Sequence, residues 1–396
     1  MITHFTKVPG ESGNGRFSYL AEKLSVTDIN LEVATSSFSH KNKKQRVDLD
    51  NQLEKVDYKL TTIYEPGYNT NVSIKRFYSH HVFGKNINKY LKTRKKPDLI
   101  YCSVPSLDVA ATVARYAKEN NIKFIIDIQD LWPEAFKMVF DMPIISNMIF
   151  YPMNKKADYI YKSADKIITV SETYLNRALA VNSKVNEGKV VFLGTELSKF
   201  DEVFISNKCK EKPENEIWIT YIGTLGHSYD LTCVFDALEI LKNKGVNNLR
   251  FIVMGDGPLK QKFEEYAQEK QINTMFTGRL PYTEMVGMLG VCDIAVNPIK
   301  AGSAGSIINK VGDYAAAGLP VVNTQESLEY RDLLNKYKAG LNCVNGDAVD
   351  VADKLLYLIK NPEIREEMGK YNRILAEEKF DRGKTYQEII ELIKDC

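Results

Sequence analysis

The chain has 396 residues, 44% of them hydrophobic and 26% charged, with a formal net charge of +2. That length allows two domains with ample core, and the balance of charge excludes a global nucleic-acid footprint. The six cysteines, Cys102, Cys209, Cys233, Cys292, Cys343 and Cys396, are scattered without close pairs, which argues against a zinc cluster or disulfide framework and for a reducing compartment.

No signal peptide and no apolar run of membrane-spanning length are read from the sequence. A short apolar piece, Met1 to Phe5, suits a first strand. A Gly-rich turn, Pro9 to Gly15, then leads into a helix from Arg16 to Leu24. Such a turn brings backbone N–H groups close to a ligand. It is not GxGxxG, so it does not read as a dinucleotide fingerprint. Leu31 to Thr35 and Tyr58 to Tyr64 read as strands, separated by a basic loop, Ser36 to Arg46. Asp48-Leu49-Asp50 has the DxD spacing of a metal-binding pair, but no buried strand flanks it. Val72 to Lys92 reads as a helix with Lys75, Arg76, His80, His81, Lys85 and Lys89 among apolar residues. It suits either an anionic membrane surface or a solvated helix face.

Asp98 to Cys102 and Lys123 to Asp127 are fully apolar strands on either side of a helix, Ser106 to Glu119. Such runs alternating with helices predict a parallel sheet covered on both faces. The second strand ends in Asp127-Ile128-Gln129-Asp130-Leu131-Trp132-Pro133-Glu134. Ligands of these sheets bind beyond the carboxyl ends of strands, so Asp130 is a candidate acceptor-side group. Equally, Asp130 suits an N-cap for a helix that Pro133 starts. Phe136 to Met153 is too interrupted to span a bilayer. Lys166 to Ser171 is a further strand, and Ser171-Glu172 suits a capped helix start. Val190 to Glu196 reads as the last strand of the first half. The polar stretch Leu197 to Glu216 reads as the linker, giving expected domains of 1–196 and 197–380 with a final helix in 381–396.

The second half repeats the grammar. Ile217 to Gly223 is a strand, and Gly223-Thr224-Leu225-Gly226-His227 opens a helix from Leu231 to Asn243. Phe251 to Pro258, Met275 to Pro281 and Asp293 to Pro298 are further strands with their loops. Gly302-Ser303-Ala304-Gly305-Ser306 then runs into a helix-like segment, Ile308 to Ala317, which Gly318 stops before a β-branched strand at Pro320 to Val322. Hydroxyls and free N–H groups at that helix start form a place for an anion or a sugar hydroxyl. Lys310 and Asp313 share a helix face there. A cation and a carboxylate beside an N–H-rich loop suit a diphosphate and a ribose; an ordinary αβ crossover with a surface ion pair reads equally well. A last strand lies within Ala339 to Asn345, and helices fill Ala348 to Ile359, Ile364 to Glu378 and Tyr386 to Lys394.

The string from Asn309 to Val322, NKVGDYAAAGLPVV, resembles the donor-site helix of the family 4 retaining glycosyltransferases, which have the GT-B fold. DLWPE (Asp130 to Glu134) and the Asn309-Lys310 pair resemble the branch that builds bacterial capsule, O-antigen and exopolysaccharides. The resemblance implies an α/β protein of two Rossmann-like parallel-sheet domains facing across a cleft, with the last helix crossing back to the first. It also implies Asp313 at the ribose, the backbone at Arg279 and Leu280 at the base, and Gly13, Asn14 and Gly15 near the donor phosphates and acceptor. Three departures stand out. Gly305 occupies the place of a second acidic residue, Gln129 that of a frequent His, and the basic pair usual near Gly223 and Thr224 is absent. The charge work then falls to Lys310, His227 and Ser306, with Gly223 and Thr224 also expected at the donor, sugar hydroxyls held by the Ser303, Ala304 and Gly305 backbone, and Asn309 beside them.

The activity implied is hexosyl or N-acetylhexosaminyl transfer from a nucleotide sugar, expected to be UDP-linked, to a lipid-linked saccharide, with no metal or other cofactor. Lys310, His227 and Asp130 are the expected catalytic residues. The place implied is cytoplasmic, peripheral on the inner face of the cell membrane, without nucleic acid. A nucleotide-sugar 2-epimerase would share the donor site, and a non-catalytic subunit of a membrane assembly complex would explain the departures. An NAD-dependent dehydrogenase lacks its fingerprint.

Overall fold

Strands buried on both faces can join their neighbours in the same direction only through crossovers, so apolar runs alternating with helices give parallel sheets. The computed structural model describes the chain apart from residues 12–14, 48–55, 72, 138–142, 208–211 and 304–305. Its first strands are β1 (Glu32–Ser36), the small antiparallel pair β2 (Phe38–Ser39) and β3 (Lys44–Gln45), and β4 (Lys59–Ile63). Then come β5 (Leu99–Val104), β6 (Lys123–Ile128), β7 (Lys166–Thr169) and β8 (Lys189–Val190). Ile2 bridges Ala34 of β1 and Cys102 of β5, both in parallel. The spatial order is therefore β4, β1, Ile2, β5, β6, β7, β8. The strand order reverses between Ile2 and β5, as in a doubly wound fold.

The later strands are β9 (Ile217–Ile222), β10 (Leu249–Met254), β11 (Thr274–Gly278), β12 (Ile294–Asn297), β13 (Val321–Asn323) and β14 (Gly340–Asn342). They pair in parallel in the order β11-β10-β9-β12-β13-β14. Counted within this sheet, that is the Rossmann order, and its reversal lies between β9 and β12. Both faces are covered. Phe235, Leu238, Phe251 and Leu355 are buried in one core, and Trp218, Ile252, Tyr314 and Phe380 in the other.

The chain divides into Met1–Val191 with Tyr386–Cys396, and Phe192–Thr385. The final helix, Gln387–Lys394, belongs to the first unit because Tyr386, Ile389, Ile390 and Ile393 join the core of Phe17, Leu20, Tyr101 and Ile125. The expected linker is corrected. Leu197–Ser206 is a helix, and its Leu197 and Phe200 are buried in the second unit. The strand expected over Val190 to Glu196 stops at Val190. At Gly194 the backbone has φ +59°, and a Cβ there would stand 2.3 Å from the Phe380 carbonyl oxygen. The helix expected over Ile308 to Ala317 is the shorter Lys310–Ala316, and Asn309 precedes it without a side-chain cap. The helix expected from Ile364 starts at Pro362, whose fixed φ suits a first turn, and continues into a π-helical turn, Ala376–Phe380.

Candidate active site

The loops after β9 and β12 flank the switch point of the second sheet. Residues 223–230 and 298–309 are those loops, and they are zipped together. Tyr229 bridges Ile299, Asp230 N–H donates to the Pro298 carbonyl at 3.0 Å, and Lys300 N–H to the Ser228 carbonyl at 3.1 Å. Gly223 has φ +135°, and its carbonyl oxygen lies 1.8 Å from where a Cβ on Gly255 would be. The loops after β9 and β10 can pack this closely only because Gly255 has no side chain.

Lys310 stands at this junction. It is 8% exposed, and its Nζ lies 3.9 Å from the Tyr221 ring centre and 4.0 Å from that of Tyr229. Among the described residues its Nζ has no hydrogen-bond partner. Two ring faces attract a cation but do not replace its water. Burial accordingly drives the Lys310 pKa well below its ordinary value. The Nζ also lies 3.1 Å from the Cβ position of Gly223, so it borders the open backbone of the β9 loop.

One helix turn away, Asp313 Oδ1 accepts from Thr195 Oγ1 at 2.9 Å and from the Tyr282 hydroxyl at 3.1 Å. Burial pushes its carboxyl up to about 6, while those two hydroxyls and the charge of Arg382 work against the rise. Asp313 keeps part of its surface open to solvent.

The loop before Lys310 is tethered from below by an amide ladder. Asn297, Asn323 and Asn342 are in register across β12, β13 and β14. Asn297 Nδ2 donates to Asn323 Oδ1 at 2.8 Å, and Asn323 Nδ2 to Asn342 Oδ1 at 2.9 Å. Gln325 Nε2 then donates to the Ser306 carbonyl at 2.8 Å. Asn297 at its strand tip is thus an anchor for the loop. The sequence signal was present: each of three apolar strands ends in Asn.

Of the other expected donor residues, Thr224, His227, Arg279 and Asn309 are exposed, while Gly223, Leu280, Ser303 and Ser306 are half-buried. Gly13, Asn14, Ala304 and Gly305 lie outside the described residues, as do Asp48 to Asp50 and Cys209. Gly15 immediately precedes the helix Arg16–Ser25. Among the described residues, no three His, Cys, Asp or Glu side chains are placed to hold a metal.

In the first unit Asp130 is not an N-cap. Its Oδ2 accepts from the Trp132 indole at 3.1 Å and its Oδ1 from the Tyr174 hydroxyl at 3.4 Å, while the short helix after it is Glu134–Lys137. Burial raises its carboxyl, against those two donors. Gln129 Nε2 donates to Asp127 Oδ1 at 2.5 Å, so this amide serves the strand end. Sequence reasoning missed the buried pair of Arg16 Nε and Asp127 Oδ2, 2.7 Å apart. It also missed His4, whose Nδ1 lies 2.9 Å from Ser106 Oγ and whose Nε2 lies 2.8 Å from Glu65 Oε1.

Comparison with known proteins bears on this geometry. Residues 204–374 match the family described as Glycosyl transferases group 1. The probable glycosyltransferase WbjE of Pseudomonas aeruginosa is 24% identical over 60% of this chain and 60% of its own. WcaI of Escherichia coli K12, a putative colanic acid biosynthesis glycosyl transferase, is 23% identical over 76% of this chain and 75% of its own. The chain thus spans 60% of the length of WbjE. Anabaena HepE, solved with UDP, superposes with a TM-score of 0.68 at 12% identity over all of both chains. HepE has also been solved with UDP-glucose. The fold is that of the GT-B glycosyltransferases, with two Rossmann-like units.

Proposed function

We propose that this chain is a retaining, family 4 glycosyltransferase that moves a sugar from a UDP-linked donor to a lipid-linked saccharide in surface-polysaccharide assembly. The observation that carries the reading is Lys310: a buried amine without a hydrogen-bond partner among the described residues, at the switch point of a Rossmann sheet, one turn from Asp313. A diphosphate supplies the counter-charge that the rings of Tyr221 and Tyr229 do not, and a ribose diol can take the open face of Asp313.

In the reaction, the bond from the anomeric carbon to the β-phosphate oxygen breaks as the acceptor oxygen bonds to the same face. The acceptor's proton passes to the departing diphosphate. Donors already aimed at that diphosphate lower the barrier, because they need no reorganisation as charge develops. Lys310, Ser306 and the exposed His227 are assigned that task, with the Gly302–Ser306 backbone at the sugar hydroxyls and Arg279–Leu280 at the base. Asp130 is assigned to the acceptor. The reading needs no metal.

Among the described residues no helix is long and apolar enough to cross a membrane. A peripheral contact is supported by exposed Ile74 and Tyr78 on the helix Ile74–Lys92 and exposed Met148, Ile149 and Tyr151 on the helix Pro143–Ser163. The two helices are linked by ring contacts from Phe77 to Phe136 and from Phe136 to Phe150. Large apolar side chains beside lysines suit the inner membrane face, where a lipid-linked acceptor would lie.

The test is a thermal-shift panel of UDP, GDP, ADP and their sugars on wild type and Asp313→Ala. Ligand at ~100 times its dissociation constant adds about 2.7 kcal/mol of stability. Selective stabilisation by UDP and UDP-sugars, lost in the variant, is expected. If no nucleotide stabilises the protein, or the variant responds like wild type, the donor site is wrong.

A further inference from the structure

The first unit gathers polar side chains at the carboxyl ends of its strands, around the reversal between Ile2 and β5. His4 and Phe5 follow Ile2, His40 follows β1 and β2, Glu65 and Tyr68 follow β4, Ser106 follows β5, and Trp132 follows β6. Loops beyond such strand ends are where doubly wound sheets bind ligands.

At the floor of this region both oxygens of Glu65 are engaged. Glu65 accepts from Ser36 Oγ at 2.5 Å and Ser79 Oγ at 2.6 Å, besides its contact with His4. Burial works to raise the Glu65 carboxyl, and those partners more than reverse it. Glu65 still acts on Arg76 and His40 through space.

Above the floor, Asp130 and Glu65 offset the cations only at a distance. The Arg76 guanidinium lies over the rings of Trp132 at 4.6 Å, Tyr68 at 5.6 Å and Phe5 at 5.8 Å. One of its ends donates to the Asn71 carbonyl at 2.7 Å, but its Nε has no partner among the described residues. Lys43 Nζ lies 3.3 Å from His40 Nδ1 and 4.8 Å from the Tyr68 ring centre. Lys43 is held at φ +55°, a conformation side chains seldom adopt, with its amine donating to Asn71 Oδ1 at 2.5 Å. His80, 1% exposed and stacked on Trp132, also has an unpartnered Nε2 among the described residues. Among those residues no carboxylate forms a salt bridge with Lys43 or Arg76; Asp130, the neighbouring acid, is taken by Trp132 and Tyr174. Burial, with mutual repulsion, lowers His40 to about 4 and Lys43 to about 8. Cations crowded over aromatic faces without a directly paired acid are relieved by an incoming oxyanion.

We propose that the first unit carries an oxyanion site, formed by His40, Lys43 and Arg76 over Tyr68 and Trp132, that takes a carboxylate or phosphate group on the saccharide acceptor. The site itself stands on the contacts above; its assignment to the acceptor rests on the transferase reading. An acidic sugar supplies the carboxylate, and a sugar phosphate or lipid diphosphate supplies the phosphate.

The experiment titrates the full chain with methyl glucuronide, glucose 6-phosphate and neutral methyl glucoside by calorimetry, with and without UDP. Wild type, Arg76→Gln and Lys43→Gln are compared, and circular dichroism verifies folding. At least one anion should bind regardless of UDP, about tenfold more weakly in Arg76→Gln and severalfold more weakly in Lys43→Gln, as the loss of a charged contact dictates. The neutral glycoside should not bind. Preference for the glucuronide assigns the acidic sugar, and preference for the phosphate assigns the phosphoryl source. The site is overturned if UDP displaces the anion, if no anion binds, or if Lys43→Gln and any folded Arg76→Gln bind as wild type does. A chain that binds the anion with this pattern but no nucleotide keeps the site and loses the transferase reading.

Discussion

Arg16 and Lys310 are buried basic side chains, one in each unit, and the protein treats them in opposite ways. Arg16 is given a carboxylate: Asp127 lies 2.7 Å away, and the Val191 carbonyl accepts at 2.8 Å. Burial opposes the Arg16 charge, but Asp127 and the neighbouring Tyr386 and Tyr101 more than restore it. Among the described residues, Lys310 is given only the ring faces of Tyr221 and Tyr229. A buried charge with a partner is finished when the chain folds; one without waits for something to arrive. On the proposed function, the contrast separates a structural basic residue from a binding one, which neither residue type nor burial can do alone.

The largest effect should come from breaking the finished pair. Arg16→Met leaves Asp127 buried without its cation, which costs about 3–5 kcal/mol. The chain's two tryptophans, Trp132 and Trp218, fall one in each unit. Fluorescence of single-tryptophan variants in urea should show the Trp132 transition moving to lower denaturant while that of Trp218 stays. Equal movement of both, or of neither, would remove the structural reading of Arg16.

Next is Asp313. Its folded carboxyl is raised to about 6, above its unfolded value. The folded state therefore holds a proton that the unfolded state has lost, and stability falls as pH rises through that interval. Asp313→Asn keeps an acceptor oxygen for Thr195 and Tyr282 without the charge. It should melt higher than wild type at pH 8, by on the order of 2–3 kcal/mol. The advantage should vanish near pH 4, and nucleotide stabilisation should be lost throughout. A site residue that improves stability when neutralised is paid for by function.

How much of this was legible in the sequence differs by element. Apolar runs ending at Gly or Asn gave the strands and their parallel direction, since period and length are local properties. The helix Leu197–Ser206 was lost because its charged residues outweighed the spacing of Leu197, Phe200 and Val203, which falls on one helix face. The small-residue loop and Lys310 after it were visible as motif. The cage was not, because Tyr221 and Tyr229 come from another strand and loop. Nor were the partners of Asp313, which are 118 and 31 residues away in sequence. The pairing of Arg16 with Asp127 spans 111 residues and leaves no periodic trace.

Lys310 itself gives a third and smaller test. A diphosphate raises the pKa of an amine that burial had lowered, so binding takes up a proton. UDP-glucose, which does not titrate near neutrality, should bind more weakly as pH rises, by up to about tenfold per pH unit. Lys310→Met should bind weakly with no such slope. Because wild-type Lys310 binds its proton less well folded than unfolded, the variant should also be the more stable protein at pH 7. Binding without a pH slope in wild type would mean that the ammonium is already charged in its cage, and the contrast with Arg16 would weaken.

The smallest effect on stability belongs to Asp130, which lies between the two extremes. It is half-buried, raised by burial, and held by Trp132 and Tyr174, with the nearby charge of Arg76 working against the rise. Asp130→Asn retains an oxygen for the indole and removes a charge that burial disfavours, so stability should change by less than about 1 kcal/mol. The rate then separates two roles. General-base removal of the acceptor proton typically contributes 10²–10⁴-fold. A front-face transfer gives that proton to the leaving diphosphate, so Asp130 would only orient the acceptor and its loss should cost about tenfold in kcat/KM. The wild-type pH–rate profile should then lack a limb that Asp130→Asn removes. A larger loss with such a limb would make Asp130 the base and require a different path for the proton.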